Sequence, residues 1–324
     1  MDVSDGAPPD FDEFWAATIA ELRHIPLEVR RVRQPARVAG TAACDLSFLS
    51  WGHRRIGGYT VTWNDDTPRP LIVHAHGYRS QVTPRMDWVR AGCHVLGFDV
   101  RGFGRSVDAL PAPSGRGWLL TGARQPETSV LRGAVCDYVR ATEVAAAEVA
   151  TAAGDGAVQR FVSHGVSLAG GLATMAEAVS PHADLLVLSV PTFGWAEGRR
   201  LLVERGTGAE VADFLERHPQ YPEDDLQAVL SYFDAALFAP AIRAPTLVGM
   251  GQVDRVVPYA SVRRIVARLR APHEVMTFPV SHDGGPAMRE WDRFDRRWLE
   301  LARDGVPALF GRQRRAAASA TQLR

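Results

Sequence analysis

The sequence predicts an α/β fold, a mostly parallel central sheet covered by helices on both faces. Two observations carry that expectation. Short apolar runs recur along the chain, among them PLIVHAHGY (70–78), CHVLGFDV (93–100), RFVSHG (160–165), ADLLVLSV (183–190), APTLVGMG (244–251) and HEVMTFPV (273–280), and between most of them lie helical stretches of ten or more residues. Strands alternating with helices of that length need crossover connections, and crossovers make strands parallel and bury both sheet faces. With 324 residues the chain is longer than an average domain, yet α/β units reach this size undivided, so residues 1–310 are expected to form a single domain. A core of that size needs no cross-links.

Taken in order, FDEFWAATIAEL (11–22) places Phe11, Phe14, Trp15, Ile19 and Leu22 on one stripe of a leading helix, with Asp10 positioned as its N-cap. DLSFLSW (45–51) and IGGYTVTW (56–63) predict an antiparallel entry hairpin, and PLIVHAHGY a buried strand that ends in a loop. Then come the strand at 93–100, a helix from about Ser129 to Ala152, the strand at 160–165, a helix from Leu168 to Val179 and the strand at 183–190. Residues 193–238 show helical patterning without a strand candidate and predict an insertion over the carboxyl edge of the sheet. The strands resume at 244–251 and 273–280 around a crossover helix at 258–269 that opens on Pro258. A helix from about Arg289 to Arg303 closes the fold, and the tail 311–324, which lacks an apolar stripe, is expected to be mobile.

Charge and cysteine content narrow the function. The 37 basic residues are all arginine and balance 37 acids, interleaved rather than blocked, so neither a nucleic-acid groove nor a polybasic membrane surface is expected. Without lysine the chain cannot form a Schiff base or a Walker A phosphate site. Cys44, Cys93 and Cys136 are widely spaced and form no CxxC pair, which argues for reduced core residues over a metal or disulfide scaffold. The acidic start MDVSDGAPPDFDEFW is unlike a signal peptide, and a cytoplasmic protein is expected.

The chemistry centres on FVSHGVSLAGG (161–171), where an apolar run ends in Ser167 among Gly165, Gly170 and Gly171. A strand-to-helix turn of small residues can lift a serine nucleophile clear of a sheet. It can equally be a corner whose serine caps the helix. The usual G-x-S-x-G is broken by Ala169, which is still small enough for helix–strand packing, so on this fragment both readings stand. A serine nucleophile needs a base oriented by an acid, following in the chain order Ser, acid, His. Asp254 in GQVDRVVP and His282 in VSHDGG each follow a parallel strand at its carboxyl end and supply that order. His273, at the other end of its strand, and His164, inside one, are read as structural. The expected oxyanion donors are the backbone N–H groups of Leu168 and Tyr78. His74 and His76 alternate on a strand, but a third metal ligand is wanting, and His76 is expected to fix its loop by hydrogen bonds. Asp99, Arg101 and Arg105 are expected to brace the loops through a buried arginine–carboxylate network, with substrate contact by Arg101 the lesser reading.

These residues resemble the acetyl xylan esterase and cephalosporin C deacetylase family, carbohydrate esterase family 7 of the α/β-hydrolases. The likeness runs through PPDFDEFW, HGY (76–78), DVRGFGRS (99–106), TGARQPETSVLRGAVCDYVRATE (121–143), GVSLAGGLA (165–173), LSYFDAALFAPAIRAPTLVGMGQVD (230–254) and SHDGG (281–285). It implies an α/β-hydrolase fold and a Ser167, Asp254, His282 triad with Tyr78 and Leu168 as oxyanion donors. It also implies a small ester substrate, no cofactor or metal, and a homo-oligomer, in this family a hexamer whose sites face an inner cavity. Two departures bear on the pocket: Phe103 stands where the family usually has glutamine in RGQG, and GVSLAGG replaces GGSQGG, so Val166 and Leu168 are expected to make the site bulkier and more apolar. The expected activity is hydrolysis of acetyl or other short-chain esters of sugars or small natural products. An acyltransferase or cyclase using the same triad, and a binding scaffold with a decayed elbow, are the alternatives.

Overall fold

The computed structural model describes residues 6–110, 117–195, 206–282, 289–307 and 310. Nine strands form one sheet: β1 (Arg30–Gln34), β2 (Thr41–Ser50), β3 (Arg54–Trp63), β4 (Arg69–His74), β5 (His94–Phe98), β6 (Val158–Val166), β7 (Leu185–Ser189), β8 (Thr246–Val253) and β9 (His273–Val280). Their spatial order is β1-β2-β3-β5-β4-β6-β7-β8-β9. The first three strands and the β3–β5 junction are antiparallel, and every pair from β5 across to β9 is parallel.

Among the described residues the helices are α1 (Phe11–Arg23), α2 (Met86–Arg90), α3 (Val130–Ala153), α4 (Leu168–Val179), α5 (Thr207–Arg217), α6 (Glu223–Ser231), α7 (Ala235–Phe238), α8 (Tyr259–Arg268) and α9 (Arg289–Asp304). They bury two apolar layers. One joins α1, α3, α4, α8 and the insertion helices α5 to α7 to one face through residues such as Trp15, Tyr138, Leu172, Phe233 and Ile265. The other packs α2 and α9 on the opposite face through Trp88, Phe294, Trp298 and Leu301. The parallel strands β4, β5 and β7 are buried almost throughout and β6 over its central residues 161–165, as expected of strands covered on both sides.

The entry hairpin, the six later strands, the leading helix and the crossover helices thus lie where the sequence puts them. Three details differ. The strand β1, RRVRQ, is an added edge strand that is nearly all exposed. Helix α2 spans only five residues. Asp10 makes no side-chain cap on α1; its carboxylate instead accepts the Tyr232 hydroxyl from far along the chain. The insertion contains α5, α6 and α7, while its residues 196–205, like the tail 311–324, fall outside the described residues. No described helix is long and apolar enough to cross a membrane.

Candidate active site

Strand β6 ends at Val166 and α4 begins at Leu168, leaving Ser167 as the single residue between them. Its backbone adopts φ 54 and ψ −115, a left-handed φ that costs a non-glycine residue on the order of 1–3 kcal/mol. The bend is held on both sides, by the Ser167 N–H donating to Ser189 O at 2.9 Å and by Gly171 N–H donating to Ser167 O at 3.1 Å. The small neighbours are required by contact: a Cβ at Gly165 would run into the backbone of Ala169 and Gly170. Ala169 in place of glycine is accommodated, fully buried in the core. The capping reading fails, because the Ser167 side chain makes no helix-cap bond.

The Ser167 hydroxyl lies 3.1 Å from His282 Nε2, and His282 Nδ1 lies 2.8 Å from Asp254 Oδ2. The three side chains come from the ends of β6, β8 and β9, three parallel strands that deliver them to one edge of the sheet. The carboxylate is fully saturated. Asp254 Oδ1 accepts the N–H groups of Val256 and Val257, each at 2.8 Å, and Oδ2 accepts the Ser281 hydroxyl as well as His282. Burial pushes the Asp254 carboxyl up, but the bonds from His282, Ser281 and Val257 outweigh it and hold the group below its ordinary value. Its side chain is 0 % exposed, whereas that of His282 is 24 % exposed, so the histidine remains reachable from outside.

Other histidines take the structural places expected of them. His76 Nε2 accepts Val100 N–H at 3.0 Å while Nδ1 donates to Gly77 O at 2.7 Å, fixing the loop after β4. His74 points to Tyr59, Nε2 to hydroxyl 2.7 Å, and burial pulls its pKa down to about 3. His164 is packed between Trp88 and Trp298, with ring centroids at 4.9 and 5.2 Å. His273 Nδ1 donates to Ala271 O at the far end of β9.

The arginine–carboxylate brace is present. Arg101 grips Asp137 of α3 in a fork, Nε to Oδ2 and Nη2 to Oδ1 both at 2.7 Å, with both groups buried. Asp99 accepts Val82 N–H at 2.6 Å, Arg105 N–H at 3.0 Å and the Arg105 guanidinium at 3.3 Å. Arg101 is therefore committed to the helix behind the loop. Beside these loops lies a cavity of about 550 Å³ lined by Tyr78, Phe103, Val107, Leu110 and Trp118 among others. Its rings touch one another, Tyr78 to Phe103 at 5.8 Å and Phe103 to Trp118 at 5.5 Å, and Trp118 Nε1–H is spent on Arg101 O at 2.8 Å. Glu210 of α5 closes the arrangement by accepting Leu119 N–H at 3.1 Å and pairing with Arg79 at 3.5 Å.

Of the two departures weighed from sequence, only Phe103 reaches the cavity. The Leu168 side chain is fully buried in the core, so it does not set the polarity of the site. Ser281 escaped the sequence reading altogether, since a serine beside a histidine carries no periodic or spacing signal.

The family model for acetyl xylan esterases matches residues 3–296. Among solved structures, acetyl xylan esterase 1 from Thermoanaerobacterium sp. JW/SL YS485 superposes with a TM-score of 0.81 at 20% identity, over 92% of this chain and 95% of that one. An acetyl xylan esterase from Paenibacillus sp. R4 gives a TM-score of 0.80 at 24% identity, over 93% and 99% of the two chains. A cold-adapted esterase from an Arctic intertidal metagenomic library is a more distant likeness, with a TM-score of 0.55 at 15% identity over 82% and 95%. At these identities the superpositions establish the α/β-hydrolase fold, and the family match spanning nearly the whole chain establishes the rest: this protein is a carboxylic-ester hydrolase belonging to the acetyl xylan esterase family.

Proposed function

We propose that the protein is a serine esterase that removes acetyl or similarly short acyl groups from an alcohol, with Ser167 as nucleophile, His282 as base and acid, and Asp254 as the group that orients the imidazole. The observation that carries this reading is the continuous chain of contacts from Ser167 Oγ through His282 to Asp254, 3.1 and 2.8 Å, built on a serine held at φ 54. In this mechanism His282 Nε2 takes the hydroxyl proton as Oγ attacks the ester carbonyl, then returns it to the departing alcohol. Water activated by the same nitrogen releases the acyl group from Ser167. Asp254 keeps its negative charge and stabilises the imidazolium.

The N–H groups of Leu168 and Tyr78 are the proposed oxyanion donors. Leu168 is the first residue of α4, and an N–H in the first turn has no partner within its own helix. Tyr78 sits in the turn just beyond β4, with its ring in the aromatic cavity. That cavity is the proposed seat of the alcohol. Its apolar lining also favours a second reading, transfer of the acyl group to another alcohol or amine with water kept out. Assembly as a homo-oligomer is part of the proposal too, and a monomer mass in light scattering would remove it.

The test is hydrolysis of p-nitrophenyl esters of two, four and eight carbons by the wild type and by Ser167→Ala. Fast acetate turnover that vanishes in the variant is the expected result. Turnover unchanged in the variant overturns the assignment of the nucleophile, and acyl transfer to added alcohols outrunning hydrolysis favours the second reading.

A further inference from the structure

We infer that Ser281 is a positioning residue for the reaction, a hydroxyl that locks the Asp254 carboxylate so that its second oxygen presents one fixed acceptor to His282. This rests on the triad reading given above. Ser281 is the last residue before His282, 3% exposed, and its hydroxyl donates to the same Oδ2 that receives His282 Nδ1–H.

A carboxylate has about four acceptor positions, and all of them are filled here: two backbone N–H groups on Oδ1, one hydroxyl and one imidazole on Oδ2. The backbone pair holds one end of the group, as an Asx turn does anywhere. By itself it resists rotation about the Cβ–Cγ axis from the Oδ1 end alone, since the two oxygens turn as one rigid plane. The Ser281 hydroxyl, just beyond β9, braces the Oδ2 end, so the plane is held at both ends.

Space for it is provided from β8, where Gly251 pairs with Phe278, three residues before Ser281. A Cβ at 251 would collide with Ser281 Oγ, so the glycine and the serine belong to one arrangement. Among the described residues His282 is the titratable side chain bonded to Asp254, and the side chain of Arg255, the next residue in the chain, is exposed. Sharing Oδ2 with a hydroxyl also divides its negative charge. Part of the carboxylate's pull on the imidazolium is spent on Ser281.

Two consequences follow, and they separate positioning from simple packing. Loss of the hydroxyl should lower kcat, because acid and base lose their common alignment, and should leave KM for a small ester alone. It should also return the full charge of Oδ2 to His282, raise the affinity of the imidazole for a proton, and move the acid limb of the kcat/KM profile to higher pH.

The experiment compares Ser281→Ala, Ser281→Cys and Ser281→Thr with the wild type on p-nitrophenyl acetate between pH 5 and 9. For Ser281→Ala we expect kcat about tenfold lower, the effect of one hydrogen bond to a charged group, with KM within about twofold and the acid limb shifted upward. Ser281→Cys keeps the shape and gives up the strong donor, so it should move both quantities in the same direction even if the alanine variant fails to fold. Ser281→Thr, which keeps the hydroxyl, should recover most of the loss. A wild-type kcat in the alanine and cysteine variants, or a loss confined to KM with an unmoved acid limb, overturns the inference. Asp254→Asn, run alongside, keeps the two questions apart. If it abolishes turnover while the Ser281 variants are silent, only the positioning role falls; if it leaves turnover intact, the triad reading itself fails.

Discussion

Two histidine–aspartate pairs sit at the carboxyl edge of the same sheet, and they differ in where the second nitrogen goes. His76 lies 3.9 Å from Asp99, and His282 lies 2.8 Å from Asp254. Both aspartates are buried and both accept two backbone N–H groups. His76, however, spends Nδ1 on Gly77 O and Nε2 on Val100 N–H, leaving nothing to offer a reactant. His282 spends Nδ1 on its carboxylate and turns Nε2 to a strained serine. A nearby acid does not make a histidine a base; a nitrogen left facing a hydroxyl does.

The contrast is sharpest in the histidines themselves. His282→Ala should lower kcat for p-nitrophenyl acetate by about 10⁵–10⁶-fold with little change in the unfolding midpoint. His76→Ala should do the reverse. It strands the buried Val100 N–H and should cost about 1–3 kcal/mol in urea denaturation, with the folded fraction retaining most of its turnover. A catalytic collapse in the His76 variant at full stability would break the comparison.

The acids should divide in the same way. Asp254→Asn presents the wrong partner to His282 Nδ1 and is expected to lower kcat by about 10⁴-fold. Asp99→Asn removes the charge that gathers Val82 and Arg105, and it should be read in denaturation as a loss of about 2–3 kcal/mol before it is read in rate.

A third buried carboxylate gives the smallest and most selective test. Glu177, near the end of α4, also accepts two N–H groups, those of His182 and Ala183, yet burial raises its pKa from 4.5 to about 7. Asp254, with His282 and Ser281 added to its backbone donors, goes the other way. The signs follow from proton uptake. Glu177 binds its proton more tightly folded than unfolded, so its contribution to stability falls as pH rises from about 4.5 to 7. The Asp254 contribution is present above the ordinary carboxylate range and is lost as pH falls through its lowered value. Glu177→Gln should therefore gain about 1–2 kcal/mol relative to the wild type at pH 8 and little at pH 5. Thermal melts at the two pH values measure it.

Most of the architecture was legible because buried parallel strands announce themselves as apolar runs and their crossovers as helical stripes. The exceptions have physical reasons. In RRVRQ four of five residues are polar, and an edge strand held by one neighbour needs no buried face, so β1 carries no pattern to read. MDWVR is too short for helical periodicity. Asp10 had the right type and position for a cap, but Tyr232 competes for it from the distant insertion. That Ser167, Asp254 and His282 come together could be read from chain order and strand ends alone. Ser281 could not, because its role depends on how β8 and β9 register side by side. Leu168 likewise showed its direction only once the helix was packed.

The insertion has a further consequence when the chain is viewed as two separable pieces. It leaves the sheet after β7 and returns at β8, and these two strands are partners in parallel pairing. Ser167, the proposed nucleophile, therefore lies upstream of the insertion and its proposed partners Asp254 and His282 downstream, and among the described residues no other strand interleaves the two segments in the sheet order. A single cut within 196–205 would divide the enzyme into one fragment that holds Ser167 and another that holds Asp254 and His282, its proposed partners. Ester hydrolysis regained on mixing such fragments would report, as a light switch does, the docking of one sheet edge against the other.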